Sequence, residues 1–101
     1  MDALKQFRIE LNQIDEQLVK LLGKRFEICG QVALFKRENG IPMMQPARVA
    51  EVKERSAQFA ASNGVDPGFA RALFGTIIDE ACRLEDDIID TGHADRKAQR
   101  R

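Results

Sequence analysis

Apolar residues recur along the N-terminal part of the chain at alternating steps of three and four positions. This is the period of an α-helix with one apolar face. The stripe consists of Leu4, Phe7, Leu11, Ile14, Leu18 and Leu21, and it resumes at Ile28, Val32 and Phe35. Asp2 is a suitable residue to cap the start of this helix, and Asn39-Gly40 is a suitable stop. The pattern predicts one helix over residues 2–38, about 54 Å long at ~1.5 Å per residue.

A second, shorter helix follows a predicted loop at residues 39–45. Pro46 is favourable in the first turn of a helix, where its missing N–H has no intrahelical partner to lose. Inward positions of this helix are Val49, Val52 and Phe59. We expect the helix to end near Asn63-Gly64.

A third helix is predicted to begin at Asp66-Pro67, with Asp66 as N-cap and Pro67 as first helical residue. Its apolar stripe is Ala70, Leu73, Phe74, Ile77, Ile78, Ala81, Leu84 and Ile88. We expect helical order to fade after Ile89. The chain is therefore interpreted as one helical domain over residues 1–91 and a disordered basic tail over residues 92–101.

The length of the first helix favours a dimer over a small three-helix monomer. A compact domain of about 100 residues has a radius of gyration near 13 Å, and a ~54 Å helix extends beyond such a body. The two shorter helices are too short to cover its whole apolar seam. A second copy of the chain offers the same surface, so the expected fold is an all-α intertwined homodimer with three helices per chain.

Composition and charge narrow the functional classes. The chain has 16 Lys and Arg and 16 Asp and Glu among its 101 residues, and this zero net charge argues against a general nucleic-acid binder. No apolar run approaches the ~18 residues of a membrane span. The N-terminal sequence lacks the pattern of a secretory signal, so we expect a cytoplasmic protein.

Two cysteines and one histidine do not form a zinc-binding pattern. Cys29 and Cys82 both lie within apolar helical patterns, and we interpret them as buried free thiols. The sequence therefore predicts neither a metal nor a cofactor.

Charged residues interrupt the apolar seams at three informative positions. Arg25 occupies the seam position that follows Leu21, and Lys36 lies eleven residues later, within roughly 20° of the same helix face. Glu85 follows Ala81 on the inner face of the third helix. One interpretation is a buried structural ion pair between Arg25 and Glu85, because an unpaired buried charge costs several kcal/mol. The other is an anion-binding cavity between the helices.

Three further polar residues bear on the cavity interpretation. Arg48, in the first turns of the second helix, is placed to close such a cavity, and Gln45 in the loop can add a neutral hydrogen bond. Arg8 lies about 25 Å from Arg25 along the helix axis, too far to share a small ligand within one chain. It is either a surface arginine or, in an antiparallel dimer, part of the partner's site.

Taken together, these residues resemble those of the small all-helical chorismate mutases, including their isochorismate pyruvate-lyase relatives. The similarity covers about residues 4 to 90. The matching segments are FRIELNQIDEQLVKLLGKRFEICGQVALFK, IPMMQPARVAEV and NGVDPGFARALFGTIIDEACRLEDDII. The family's charged residues occur in order as Arg8, Asp15, Arg25, Lys36 and Arg48.

The resemblance implies an intertwined dimer with two equivalent sites. Each site would take Arg25, Lys36, Arg48 and Glu85 from one chain and Arg8 from the other. Arg8, Arg25 and Lys36 would bind the carboxylates of a small dianion, and Lys36 would also approach the ether oxygen. Lys36, Glu85 and Arg25 would be catalytic. Such a pericyclic rearrangement needs no nucleophile, metal or cofactor, and it is accelerated by holding the compact conformer and stabilising charge on the ether oxygen.

Four site positions depart from the best-known bacterial mutases. Glu85 replaces a Gln that binds the ether oxygen, and only its protonated form can donate a hydrogen bond there. Val49 replaces a Glu near the ring hydroxyl. Gln45 replaces an Asp, and Ala81 replaces a Ser. Val49 and the turn at residues 63–66 are similar to the lyase branch.

Three functions therefore stay open. The first is a chorismate mutase that forms prephenate. The second is the same fold acting on a relative, either 4-amino-4-deoxychorismate by rearrangement or isochorismate by pyruvate elimination. The third is a non-catalytic helical interaction module, which the charged seam residues disfavour because packing alone prefers apolar residues there.

Overall fold

A computed structural model describes the backbone of residues 2–99 and the side chains of residues 2–87. The chain forms three helices, α1 (Asp2–Glu38), α2 (Pro46–Ser62) and α3 (Pro67–Gln99). There is no strand in the described backbone, so the predicted all-α class is confirmed. α1 has 37 residues and covers the range that the apolar pattern predicts.

Glycine in the left-handed region ends both of the first two helices. After α1, Gly40 has φ of 64°, and the Ile41 N–H donates to the carbonyl of Lys36 at 2.9 Å. After α2, Gly64 has φ of 73°, and the Val65 N–H donates to the carbonyl of Ala60 at 2.9 Å. These bonds satisfy carbonyls that would otherwise be unpaired at the helix ends.

α3 begins as predicted and ends later than predicted. The Asp66 carboxylate accepts a hydrogen bond from the Phe69 N–H at 2.8 Å, which is an N-cap. The helix then continues to Gln99, so the prediction that it fades after Ile89 is wrong. The segment contains no proline and ends in the good helix formers Lys, Ala and Gln, so backbone helix can continue after the apolar stripe stops. The side chains of the predicted basic tail at 92–101 lie outside the described residues.

Small residues form the buried core. α3 packs against both α1 and α2, whereas α1 and α2 do not pack directly against each other. The buried residues are Gly30, Ala33, Ala57, Ala60, Ala70, Ile77 and Ala81. Small side chains let helix backbones approach closely, but they bury little apolar surface.

The single chain is elongated and leaves much of its apolar seam in solvent. Its radius of gyration is 18.1 Å, against roughly 13 Å for a compact domain of this length. All residues from 2 to 21 are exposed, including Phe7 at 60 % and Leu21 at 64 %. No helix in the described part of the chain has the length and apolar character needed to cross a membrane.

Candidate active site

A cavity of about 340 Å³ lies where the C-terminal half of α1, the 39–45 loop, the start of α2 and the middle of α3 meet. Every predicted site residue except Arg8 lines this cavity. These residues are Arg25, Lys36, Gln45, Arg48, Val49, Ala81 and Glu85. Three cations and one carboxyl group therefore face a shared space, a combination that can bind a small anion with two carboxylates.

Lys36 connects α1 to the loop that covers one side of the cavity. Its half-buried Nζ donates a hydrogen bond to the carbonyl of Met43 at 3.1 Å. An ammonium group has three donors, so the remaining two can bind a ligand. The bond orients Lys36 without neutralising its charge.

Arg25 is held by contacts on two helices. Its Nη1 donates to the sulfur of Cys29, one turn later on α1, at 3.7 Å. Its guanidinium carbon lies 6.0 Å from the ring centroid of Phe74 on α3, within the range of a cation–π interaction. Neither contact removes the positive charge from the cavity.

Arg25 and Glu85 do not form the structural ion pair that was one of the two interpretations. The ion pairs among the described residues join Arg48 to Glu51, Arg71 to Glu54, and Arg83 to Glu80 and Asp87. All of these pairs are solvent-exposed. Glu85 and Arg25 instead face the same cavity without direct contact.

Glu85 is half-buried, and its pKa lies above the ordinary value for a glutamate. Burial is the main cause, and the neighbouring charge of Asp86 acts in the same direction. Lys36 and Arg25 oppose the shift. The protonated form of Glu85, which can donate a hydrogen bond into the cavity, is therefore favoured to a higher pH than in a free side chain.

Arg48 and Gln45 lie at the exposed edge of the cavity, where α2 begins. Arg48 Nη1 pairs with Glu51 at 3.0 Å, and Gln45 Nε2 donates to the carbonyl of Pro42 at 3.4 Å. Half-buried Val49 and buried Ala81 contribute apolar wall. The edge is thus polar and the wall between the charges is apolar.

Arg8 is the predicted site residue that the single chain does not bring to the cavity. It is exposed in the N-terminal half of α1, and it does not line the cavity. Its assignment to a partner's site stays a prediction.

Sequence reasoning missed that both cysteines belong to the cavity wall. Cys29 and Cys82 are free and half-buried, rather than fully buried, and both line the cavity. The helical period contained the signal, because Cys29 lies one turn after Arg25, and Cys82 lies three residues before Glu85 and next to Ala81. Among the described residues, no group of His, Cys, Asp and Glu is arranged to hold a metal ion.

Residues 7–86 match the model of the family described as chorismate mutase type II. The chain is 43 % identical to a 4-amino-4-deoxychorismate mutase of Streptomyces pristinaespiralis over 92 % of this chain and 72 % of that protein. It is 41 % identical to a 4-amino-4-deoxychorismate mutase of Streptomyces venezuelae over 84 % of this chain and 82 % of that protein. It is also 36 % identical to an isochorismate pyruvate lyase of Pseudomonas aeruginosa over 75 % of this chain and 74 % of that protein.

Proposed function

The chain belongs to the chorismate mutase type II family and is an isomerase, and we propose that its substrate is 4-amino-4-deoxychorismate. The observation that carries the type of reaction is one cavity lined by Arg25, Lys36, Arg48 and Glu85. The proposed reaction is the intramolecular rearrangement in which the ether C–O bond breaks and a C–C bond forms. No atom enters or leaves, so the residues need only bind, orient and stabilise charge.

The cavity residues divide that work by their chemistry. Arg25 and Arg48 bind carboxylate oxygens, and Arg25 is already oriented by Cys29 and Phe74. Lys36 binds a carboxylate and approaches the ether oxygen, where negative charge develops as the C–O bond breaks. Glu85 in its protonated form donates a second hydrogen bond to that oxygen. The apolar wall beside these groups reduces their contact with water, and this strengthens each of these interactions.

The amino substrate is favoured over chorismate by the similarity to known proteins. Two relatives with more than 40 % identity are named 4-amino-4-deoxychorismate mutases. Val49 also departs from the Glu that the resemblance to chorismate mutases implies near the ring hydroxyl, although a valine does not by itself select an amino group. The second candidate is rearrangement of chorismate to prephenate, which the match to the family supports.

A second copy of the chain completes the proposed site. Arg8 lies on the same exposed half of α1 as the apolar seam at residues 2–21. When that seam pairs with a second copy in antiparallel orientation, the start of one α1 approaches the middle of the other, and Arg8 meets the partner's cavity. The homodimer thus covers the exposed seam and adds a cation to each site.

One assay series tests the substrate. Purified protein is offered 4-amino-4-deoxychorismate, chorismate and isochorismate separately, and products are identified by mass. We expect kcat/KM for the amino substrate to exceed that for chorismate, since the relatives with more than 40 % identity are named for the amino compound. Preferential formation of prephenate would select the second candidate. Salicylate and pyruvate from isochorismate would identify a lyase, and no turnover by a folded dimer would favour a non-catalytic module.

A further inference from the structure

The only two cysteines of the chain lie on opposite walls of the same cavity. Cys29 is on α1 and Cys82 is on α3, and both are free and half-buried. Neither sulfur reacts in the proposed rearrangement, although the Cys29 sulfur accepts a hydrogen bond from Arg25. A nucleophilic group that faces the substrate cavity without reacting there is open to other chemistry.

The charged surroundings of the two sulfurs differ. Arg25 donates a hydrogen bond to the sulfur of Cys29 at 3.7 Å, so a fixed positive charge faces this thiol. On the other wall, burial and the carboxylates of Glu85, Asp86 and Asp79 raise the pKa of Cys82, against the charge of Lys36. An anionic reagent is therefore drawn to the sulfur of Cys29 by Arg25 and repelled from Cys82 by these carboxylates, which favours reaction at Cys29.

The cavity also selects the charge of a reagent. Arg25, Lys36 and Arg48 line it against the single carboxyl group of Glu85. A small anion is therefore drawn toward Cys29 by the cations that bind the substrate carboxylates. An uncharged reagent of the same reactivity lacks this attraction.

We propose that Cys29 is a thiol-modification site, at which a small anionic disulfide forms a mixed disulfide that blocks the cavity. The Cys29 thiol loses its proton to solvent, and its sulfur attacks one sulfur of the external disulfide. A new S–S bond forms to Cys29 while the external S–S bond breaks. The other half leaves as a thiolate, so Cys29 is oxidised and the leaving half is reduced. A thiol reductant reverses the step.

The adduct occupies the space between Arg25, Lys36 and Glu85, so substrate cannot enter. The expected loss of activity rests on the proposed function. The site of labelling does not, because it follows from the cavity and its charges alone. The two consequences are measured separately.

In the test, the full chain reacts with the dicarboxylate disulfide dithiobis(nitrobenzoate). The absorbance of the coloured thiolate that this reagent releases measures the rate. We expect one fast-reacting thiol per chain. Cys82→Ala keeps the fast phase, whereas Cys29→Ala reacts at least about tenfold more slowly. The uncharged disulfide dithiodipyridine serves as the reagent control, and its rate should be less sensitive to salt because the charge attraction is absent. Thermal melting of both variants verifies that each is folded.

The mass of the intact chain and peptide mapping locate the adduct. One adduct on Cys29, removed by dithiothreitol, supports the proposal. So does a loss of mutase activity on labelling, measured against the untreated form of each chain, in the wild type and Cys82→Ala but not in Cys29→Ala. An adduct on Cys82, equal rates for both variants, or labelled protein with full activity would overturn it. If no substrate is turned over, labelling confined to Cys29 still supports the site, while the proposed function fails on its own assay.

Discussion

The two halves of α1 have opposite surroundings. In the C-terminal half, Gly30 and Ala33 are buried where α1 packs on α3, and Arg25 and Lys36 face the cavity shared with the 39–45 loop, α2 and α3. In the N-terminal half, every residue from 2 to 21 is exposed, although the apolar period is the same. One half carries charge into a cavity between elements, and the other carries apolar side chains that the same chain leaves largely uncovered.

This difference shows that one amphipathic stripe can serve two purposes. Where the chain folds back on itself, polar residues in the stripe line a cavity. Where it does not, the stripe is a row of exposed large apolar side chains, the kind of surface that a partner covers. Substitutions in either half of α1, and in the residues that connect them, can therefore be compared with a change at the remote N-terminus of α3.

Removal of the Lys36 ammonium group should have the largest effect on activity. Lys36→Ala removes the ammonium group that stabilises charge on the ether oxygen in the proposed mechanism, and we expect kcat to fall about 10³-fold. Lys24→Ala, an exposed lysine next to Arg25, is the matched control and should retain activity. Steady-state kinetics measure both. Equal activities of the two variants would remove Lys36 from the mechanism.

A charge placed in the exposed apolar seam of the N-terminal half of α1 should prevent dimer formation. Ile14, 53 % exposed in the single chain, is buried in the proposed dimer, so Ile14→Asp places an unpaired carboxylate in an apolar interface. We expect dissociation to monomers and about a 100-fold loss of activity at dilute protein, because each lost ~1.4 kcal/mol of association weakens binding tenfold. Sedimentation velocity checks the mass. Gln13→Asp, one position off the stripe, should remain dimeric, and a dimeric Ile14→Asp would argue against this face.

The protonation of Glu85 should set the pH dependence of the enclosed half. Its pKa is raised by burial, and the proposed donor is the protonated form, so activity is highest below that pKa and falls by about tenfold per pH unit above it. Glu85→Gln donates at every pH and should give a flat profile. Asp86→Asn removes a charge that raises the Glu85 pKa, and should move the fall to lower pH. A profile unchanged in Glu85→Gln would exclude this role.

Mixing two inactive variants should restore activity if each site takes residues from both halves of α1, one half from each chain. Arg8→Ala and Arg25→Ala are each expected to be inactive, but their heterodimer has one site with both arginines. With random exchange of subunits, about a quarter of wild-type activity should return, because half of the dimers are mixed and each has one intact site. Native mass spectrometry of differently tagged chains verifies exchange. If subunits exchange but activity does not return, Arg8 does not act in the partner's site.

The smallest effect should come from a helix end remote from both regions. Asp66→Ala removes the cap hydrogen bond to the Phe69 N–H and should lower the free energy of unfolding by about 1 kcal/mol, with kcat unchanged. Asp66→Asn keeps an acceptor and should lose much less. Denaturant unfolding measures both variants. A large loss of activity in Asp66→Ala would show that α3 transmits its N-terminal geometry to the cavity.

The sequence contained most of the fold because its signals are local. The stripe from Leu4 to Phe35, the cap at Asp66 and glycines at 40 and 64 each act within a turn or two of the chain, and the helices begin and end there. The end of α3 was missed because the apolar stripe stops near Ile88, whereas backbone helix needs only residues that tolerate it. The period of apolar residues shows where a helix packs against other elements, and the helical backbone can continue past the last packed residue.

The cavity could be predicted in its charges but not in its contacts. Helical angles placed Arg25 and Lys36 on one face, and the structure brings both to the cavity with Glu85. The hydrogen bond from Lys36 to the Met43 carbonyl depends on the path of a loop, which no periodicity describes. Arg25 and Glu85 could form an ion pair or share a cavity, and the distance between α1 and α3 decides which. The sequence does not give that distance. Arg8 remains a prediction because its proposed partner lies on another chain.

The 37-residue length of α1 has a consequence for how the protein is handled. In the proposed dimer, half of this helix acquires its apolar neighbours only when two chains meet, so folding is bimolecular. Mass action then ties stability to protein concentration, and the melting temperature should rise as the sample is made more concentrated. Dilution in an activity assay would thus act as a mild denaturant.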